Sequence, residues 1–262
     1  MKLDFHTHGK LAKKLPFSEV YTQWLLQAAK KSGLDAICLT EHFNTLEFET
    51  LYDYITTYCT CDEDSYVTPE GLRIFLGLEI DIYEGGHTLV IGSKETVMTI
   101  YRQLLPFHNQ ENFLGIDDLY KLLSGKELIF GAAHAYRSGS NIPHLSEQQL
   151  GYFDFYDLNG KDLAAHSELT INQIKELALK FNKPYVGGSD THQATQYGVV
   201  YNEFTKTITS IRLLREEMQA GAYQISIAPT VEMQVANAGA QKKLLKYIHE
   251  LGGAYDTALI SE

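Results

Sequence analysis

The 262-residue chain is poor in cysteine, proline, tryptophan and positive charge. Its 3 cysteines are too few for a disulfide framework. The single residue between Cys59 and Cys61 is not a zinc-knuckle spacing, so free thiols in a reducing compartment are expected. No apolar run approaches the ~18 residues that span a bilayer, so no membrane partner is expected. The first residues, Met1-Lys2-Leu3-Asp4-Phe5-His6, carry an acid and a histidine where a signal peptide is apolar, and a cytoplasmic location is expected. There are only 6 prolines, no internal repeat and no low-complexity linker, which suggests one domain over residues 1–262. Lys plus Arg number 22 against 33 Asp plus Glu, a formal net charge of −11. That balance argues against a long nucleic acid as partner, because such binders present a basic face. The oligomeric state is left open.

Ordinary globular composition remains: 44% hydrophobic and 21% charged residues. Strand-like and helix-like segments alternate along it. Short apolar runs at 3–6, 35–40, 73–82, 87–92, 128–133, 153–158 and 184–188 have strand length, and Gly85-Gly86 marks a turn between two of them. Ser18 is a suitable N-cap for a helix to about residue 32, with Gly33 as its stop. Further helices are expected at 117–123, 170–181, 210–220 and 231–251, and the acidic stretch 61–65 reads as a loop. Such alternation predicts an α/β fold with a parallel sheet wrapped by helices, closed as a barrel or open.

The 10 histidines are the feature that this pattern organises. Asp4-x-His6-x-His8 ends the first strand and Thr40-Glu41-His42 the second. Glu79 lies in the third, His87 opens the fourth, and His134 follows the 128–133 strand with Arg137 three residues on. Ser189-Asp190-Thr191-His192 follows the 184–188 strand. Residues two apart on a strand share a face, so His6 and His8 point the same way. In a β/α barrel the C-terminal strand ends converge. Imidazole with carboxylate is the donor set for Zn, Mn or Fe.

In this order the motifs resemble the polymerase and histidinol phosphatase (PHP) family. The resemblance runs from Leu3 to His192 and includes Asp157-Leu158-Asn159-Gly160. It implies a distorted TIM-like (β/α)7 barrel, two or three divalent metal ions at the C-terminal strand ends, and hydrolysis of a phosphate ester. By the same resemblance His6, His8, Glu79 and Asp190 hold one ion, and Glu79, His87 and His134 a second. His42 and His192 match two ligands of a third, and Asp4 and Glu41 orient imidazoles. Trinuclear members carry a further His or Asp a few residues after the His-x-His pair. Here that stretch is Gly9-Lys10-Leu11-Ala12-Lys13-Lys14, which offers no ligand.

The expected partner is a small-molecule phosphate ester, a phosphomonoester or nucleotide, attacked at phosphorus by metal-activated water. Arg137 is the candidate phosphate clamp, since a guanidinium grips two oxygens at once. Lys10 and Lys13 are candidate substrate-binding cations. Asp190, His192 and Arg137 form the candidate catalytic set, with His192 a candidate proton donor to the leaving group. Aromatics in the loops, Phe43, Tyr52, Tyr54, Phe107, Phe113 and Tyr136, could stack on a substrate ring. Two other classes fit the same donors: an amidohydrolase-type metal hydrolase acting on a non-phosphate substrate, and a metal-binding domain without catalysis.

Overall fold

A computed structural model describes residues 1–258. The strands are β1 (Lys2–Thr7), β2 (Ala36–Leu39), β3 (Thr60–Asp62), β4 (Ser65–Val67), β5 (Arg73–Asp81), β6 (His87–Gly92), β7 (Leu128–Ala133), β8 (Phe155–Asn159), β9 (Tyr185–Gly188), β10 (Val200–Phe204) and β11 (Tyr223–Ile227). The helices are α1 (Glu19–Lys31), α2 (Phe48–Tyr58), α3 (Lys94–Leu104), α4 (Ile116–Leu123), α5 (Glu147–Leu150), α6 (Gly160–Phe181), α7 (Ile211–Gln219) and α8 (Val231–Glu250). The expected segment 231–251 lies within this range, whereas residues 259–262 of the expected domain lie outside the described residues.

All the strands share one sheet, with the order β11-β10-β1-β2-β5-β6-β7-β8-β9 and a β3–β4 hairpin paired on β5. The ends of the series β1 to β9 come together. Asp190 N donates to His6 O (2.7 Å) and His8 N to Thr191 O (3.0 Å), which makes a nearly closed barrel. The alternation predicts a parallel sheet, but the sheet is mixed. β6 runs antiparallel to β5 and β7, because the turn at Gly85 and Gly86 (φ 92° and 126°) is far too short for a crossover. β10 and β11 form an antiparallel extension on β1. Asn202 fastens it: its amide donates to Leu3 O (3.0 Å) and Gly187 O (2.8 Å), and its oxygen accepts from Gly187 N (2.9 Å). The 61–65 stretch is the tip of the β3–β4 hairpin, not a free loop.

Two apolar layers follow from the period-2 alternation of the strands. One lies inside the barrel, where Phe5, Cys38, Phe75, Leu89, Ile129, Phe155 and Val186 meet, and Ile211, Leu214 and Met218 of α7 join the same cluster. The other lies between strands and helices, with Ile37, Ile74, Val90 and Tyr156 against residues such as Leu25, Leu51 and Ile100. α2, which fills most of the 43–61 excursion, buries Phe48, Leu51, Tyr52 and Ile55 and is part of the packed wall. Phe43 and Tyr52 are therefore core residues rather than exposed stacking surfaces, with the Tyr52 hydroxyl donating to Leu39 O (3.0 Å).

A register irregularity in β1 between Asp4 and Thr7 re-aims the chain. Phe5 packs on Phe155 in the barrel interior, with ring centroids 5.7 Å apart. Its neighbour His6 also points inward, with Nδ1 3.0 Å from Asp157 Oδ2. Without the irregularity, adjacent residues would face opposite sides.

The interior is filled around one glycine. Gly131 pairs with Phe155 across β7 and β8, and a Cβ on Gly131 would lie 2.1 Å from Cζ of Phe155. Gly131→Val is expected to destabilise the chain by about 2–3 kcal/mol through overpacking. The companion Phe155→Ala should make the valine much better tolerated in a double-mutant cycle read by urea unfolding. Additive losses would show that the two side chains do not compete for one space.

Candidate metal centre

The strand ends deliver the histidines to one buried cluster built around Glu79, whose residue is 1% exposed. Glu79 Oε1 lies 2.6 Å from His87 Nδ1 and 3.1 Å from His134 Nε2. Its Oε2 lies 2.8 Å from His42 Nδ1, 3.3 Å from His8 Nε2 and 3.5 Å from His6 Nε2. Asp190 closes the other side, with Oδ1 3.3 Å from His8 Nε2, 3.8 Å from His192 Nε2 and 4.0 Å from His6 Nε2. Ligand atoms within 4.8 Å of one another form four groups: His6–His8–Glu79, Glu79–His87–His134, His6–His134–Asp190 and His8–His42–His192. The last brings His42 and His192 to His8 itself, although the Gly9–Lys14 stretch supplies no donor.

The chemistry of these atoms suits cations. His6 Nε2, His8 Nε2, His42 Nδ1 and Glu79 Oε2 are buried without a hydrogen-bond partner. Buried polar atoms are ordinarily paired, so converging orphans of this kind fit divalent ions. The opposite ring nitrogens are held. His6 Nδ1 donates to Asp157 Oδ2 (3.0 Å), His8 Nδ1 to Glu41 Oε1 (3.3 Å), and His192 Nδ1 to Lys10 O (2.9 Å). His87 Nε2 faces Asp81 Oδ1 at 3.0 Å. Each such bond fixes the ring and turns its other nitrogen toward the cluster.

Electrostatics follow the same geometry. Burial opposes charge on Glu79, but His42, His87 and His6 hold its carboxyl well below the usual range. Burial opposes charge on His87 as well, and Glu79 and Asp81 overcome it, raising the imidazole to about 9. Burial lowers His134 to about 4, assisted by the Arg137 charge. Asp190, against its burial, is held well below the usual carboxylate range by Lys161 and Arg137.

Both Asp190 (φ 55°) and His134 (φ 30°) have left-handed backbones. Such conformations cost about 1–3 kcal/mol and persist where surrounding contacts impose them, often at functional sites.

Several expected residues sit differently from what their spacing suggests. Lys10 is buried, its ammonium bonded to Thr45 Oγ1 (3.1 Å) and to the Leu46 carbonyl, so it faces the 43–47 loop. What it brings to the cluster is the carbonyl that holds His192. Lys13 pairs with Asp81 (2.9 Å) at the rim. Arg137 donates to Asp190 Oδ2 (2.7 Å), Asp162 Oδ1 (2.9 Å) and Asn159 Oδ1 (2.6 Å). Asp4 does not touch an imidazole; it accepts from Ser189 N (2.9 Å) and His6 N (3.1 Å), tying β1 to the end of β9.

Motif spacing gives Asp81, Lys161 and Lys242 no role in the site, and it marks Asp157 only as part of a motif. Strand alternation from Glu79 to Asp81 and from Phe155 to Asp157 carries the signal for two of them. Lys161 reaches Asp190 Oδ2 at 2.9 Å. Lys242 comes from distant α8, where burial and then the Lys161 charge lower its ammonium to about 8. A concavity of about 880 Å³ lined by Lys183, Tyr185 and Tyr223 lies at the opening residue of β9, the opposite end of that strand from the cluster.

A family model described as PHP domain matches residues 4–184, and one described as PHP-associated matches residues 171–223. A search of curated protein sequences gives no match. Among solved structures, PsfC from Pseudomonas syringae PB-5123 superposes with a TM-score of 0.73 at 21% identity, covering 93% of this chain and 98% of that one. The lesion-specific endonuclease PfuEndoQ from Pyrococcus furiosus gives 0.65 at 19% identity, covering 86% of this chain and 57% of that one. Endonuclease Q in complex with a 27-mer duplex bearing an abasic lesion gives 0.65 at 18% identity, with 86% and 58% covered. At these identities the likeness is one of fold, and the endonucleases extend well beyond the length of this chain. With the family match spanning most of the sequence and the Glu79-centred cluster at the strand ends, the chain belongs to the PHP domain family, a family of metal-dependent phosphoesterases.

Proposed function

We propose that the chain hydrolyses the phosphate ester of a small molecule at this cluster. The observation that carries the reading is the Glu79 carboxylate: Oε1 faces His87 Nδ1 and His134 Nε2, and Oε2 faces the orphaned nitrogens of His6, His8 and His42. His6, His8, Glu79 and Asp190 would hold one ion, Glu79, His87 and His134 a second, and His42 and His192 mark a third position beside His8. Zn, Mn or Fe bound there supplies Lewis acidity, lowering the pKa of water toward neutrality and drawing charge from phosphoryl oxygens.

The chain's own residues prepare this site. Asp157, Glu41 and Asp81 orient His6, His8 and His87. Arg137 and Lys161 grip Asp190 Oδ2 and leave Oδ1 toward the histidines. We assign Arg137 as a positioning residue for Asp190, because its Nε and both terminal nitrogens already have acceptors. His192 is a ligand by the same logic: its Nδ1 proton lies on Lys10 O, so the neutral ring offers a lone pair at Nε2. A net charge of −11 with a few cations gathered at one mouth suits a small anion better than an extended duplex.

The deciding experiment is phosphate release from a panel of phosphomonoesters, phosphodiesters and cyclic amides, with metal content measured on the same sample. Activity should appear with Mn, Zn or Fe and vanish on chelation. Turnover of cyclic amides alone would move the chain to the amidohydrolase class, and equal activity without metal would overturn the reading.

Asp157→Asn should lower metal affinity or activity by about 10- to 100-fold with little change in Tm, since His6 then loses a carboxylate partner. Wild-type metal retention and rate in this variant would remove Asp157 from the site.

Metal addition to stripped protein at pH 7 should release protons. The carboxylates raise His87 to about 9 and His6 well above its ordinary value, so both carry protons that an ion must displace. Calorimetry in two buffers of different ionisation enthalpy measures the release. Proton uptake or no exchange would contradict the donor assignment.

A further inference from the structure

Next to the cluster lies a separate cavity of about 330 Å³. One wall is the loop after β7, with Tyr136, Arg137 and Ser138. The other is α6 on both sides of its break, with Asp162, His166 and Gln173. The cavity opens where α6 is broken. His166 has φ −152° and ψ 65°, so two helical pieces meet at an angle there. The Thr170 hydroxyl donates to Asp162 O (3.2 Å) across the break.

Arg137 is the wall shared with the metal cluster. Its Nη1 is 2.7 Å from Asp190 Oδ2 and its Nε 2.9 Å from Asp162 Oδ1. The cavity therefore starts one guanidinium away from a proposed metal ligand.

The lining states what the cavity can hold. Ser138 and His166 are exposed and Gln173 is half-buried, and none has a side-chain hydrogen-bond partner among the described residues; Asp162 Oδ2 likewise has none. Together they offer a hydroxyl, an imidazole, an amide and a carboxylate oxygen, beside the half-buried ring of Tyr136. The Arg137 charge is answered by Asp162 and Asp190, so the described lining holds no free cation for a second anionic group. Hydrogen-bond donors and acceptors beside a flat ring suit a polyhydroxylated group. The volume is at the small end of ligand sites and fits one ring, not a polymer.

We propose that this cavity is the leaving-group subsite and that the substrate class is sugar monophosphates, an inference that rests on the phosphoesterase reading above. In the reaction one water is consumed: its oxygen joins phosphorus, the bond from phosphorus to the sugar oxygen breaks, and that oxygen takes a proton from the water. The products are free sugar and inorganic phosphate.

The test is steady-state kinetics of the full chain loaded with Mn, using ribose 5-phosphate, glucose 6-phosphate and p-nitrophenyl phosphate, with metal content as the control for folding. The wild type should prefer a sugar phosphate in kcat/KM. Gln173→Leu and His166→Leu should each reduce the ratio of sugar-phosphate to p-nitrophenyl phosphate kcat/KM by about 5- to 10-fold, the loss of one neutral hydrogen bond. Loss of both activities in equal proportion, or a wild type that prefers p-nitrophenyl phosphate, overturns the subsite and leaves the phosphoesterase reading standing. A metal-loaded wild type that hydrolyses no phosphomonoester overturns both.

Discussion

The burial of one carboxylate, Glu79, constrains everything around it. Taking a carboxylate out of water costs several kcal/mol even after relaxation, and the loss is recovered only by close opposite charge or hydrogen bonds. What faces the Glu79 carboxylate is imidazole, from His6, His8, His42, His87 and His134. Those rings arrive from different strands. Any shift in the barrel that withdraws one leaves charge unanswered in a dry interior. The barrel and the cluster are thus one problem, and the outer carboxylates Asp157, Glu41 and Asp81 extend the compensation by one shell.

Closure of the barrel is the second half of that problem. The end of β9 must approach β1 closely enough for Asp190 to join His8. Gly188 permits it: a Cβ there would stand 2.6 Å from both His6 Cβ and Asp157 Oδ1. Asp4 then ties the seam by accepting from Ser189 and His6. Burial raises its carboxyl to about 7, and the hydrogen bonds from Ser189 and His6 offset part of that rise. The positive φ at Asp190 belongs to the same constraint, a strand forced to turn its carboxylate inward at the moment it leaves the sheet.

Much of this is legible in the order of the residues. Histidines at strand ends, Glu79 in an apolar run and the Asp190–His192 pair come together because strand direction alone decides where strand ends go. What the order hides is set by contacts distant in sequence. The inward turn of His6 depends on a register irregularity in β1, which no periodicity in six residues can reveal. Lys10 reads as a substrate-binding cation because it shares a basic stretch with Lys13 and Lys14, yet residues 43–47 fold over it and take its ammonium. The antiparallel β6 is half visible: Gly85-Gly86 announces a hairpin, while the repeating apolar runs argue for a parallel sheet, and the shorter-range signal prevails. β10 and β11 are hidden because their alternation is weak, and Asn202, a polar residue in mid-strand, is what fixes them.

Arg137 shows how one residue can carry two readings and resolve them by geometry. In the sequence it is a cation three residues after a candidate ligand, and a phosphate clamp is the natural inference. In the fold its guanidinium is committed to two carboxylates and an amide, with Asp190 on one side and Asp162 on the other. A guanidinium fixed in a plane by several acceptors is a rigid spacer as much as a charge. It sets the distance between the metal ligands and the cavity at the break in α6. The acidic balance of the chain then has a local meaning. The cations that matter, Arg137 and Lys161, are each paired with Asp190, so they stabilise that carboxylate, the proposed metal ligand, rather than a negative substrate. On the function proposed above, attraction of a phosphate is left to the ions that the histidines can hold, and discrimination among phosphates to uncharged groups farther out.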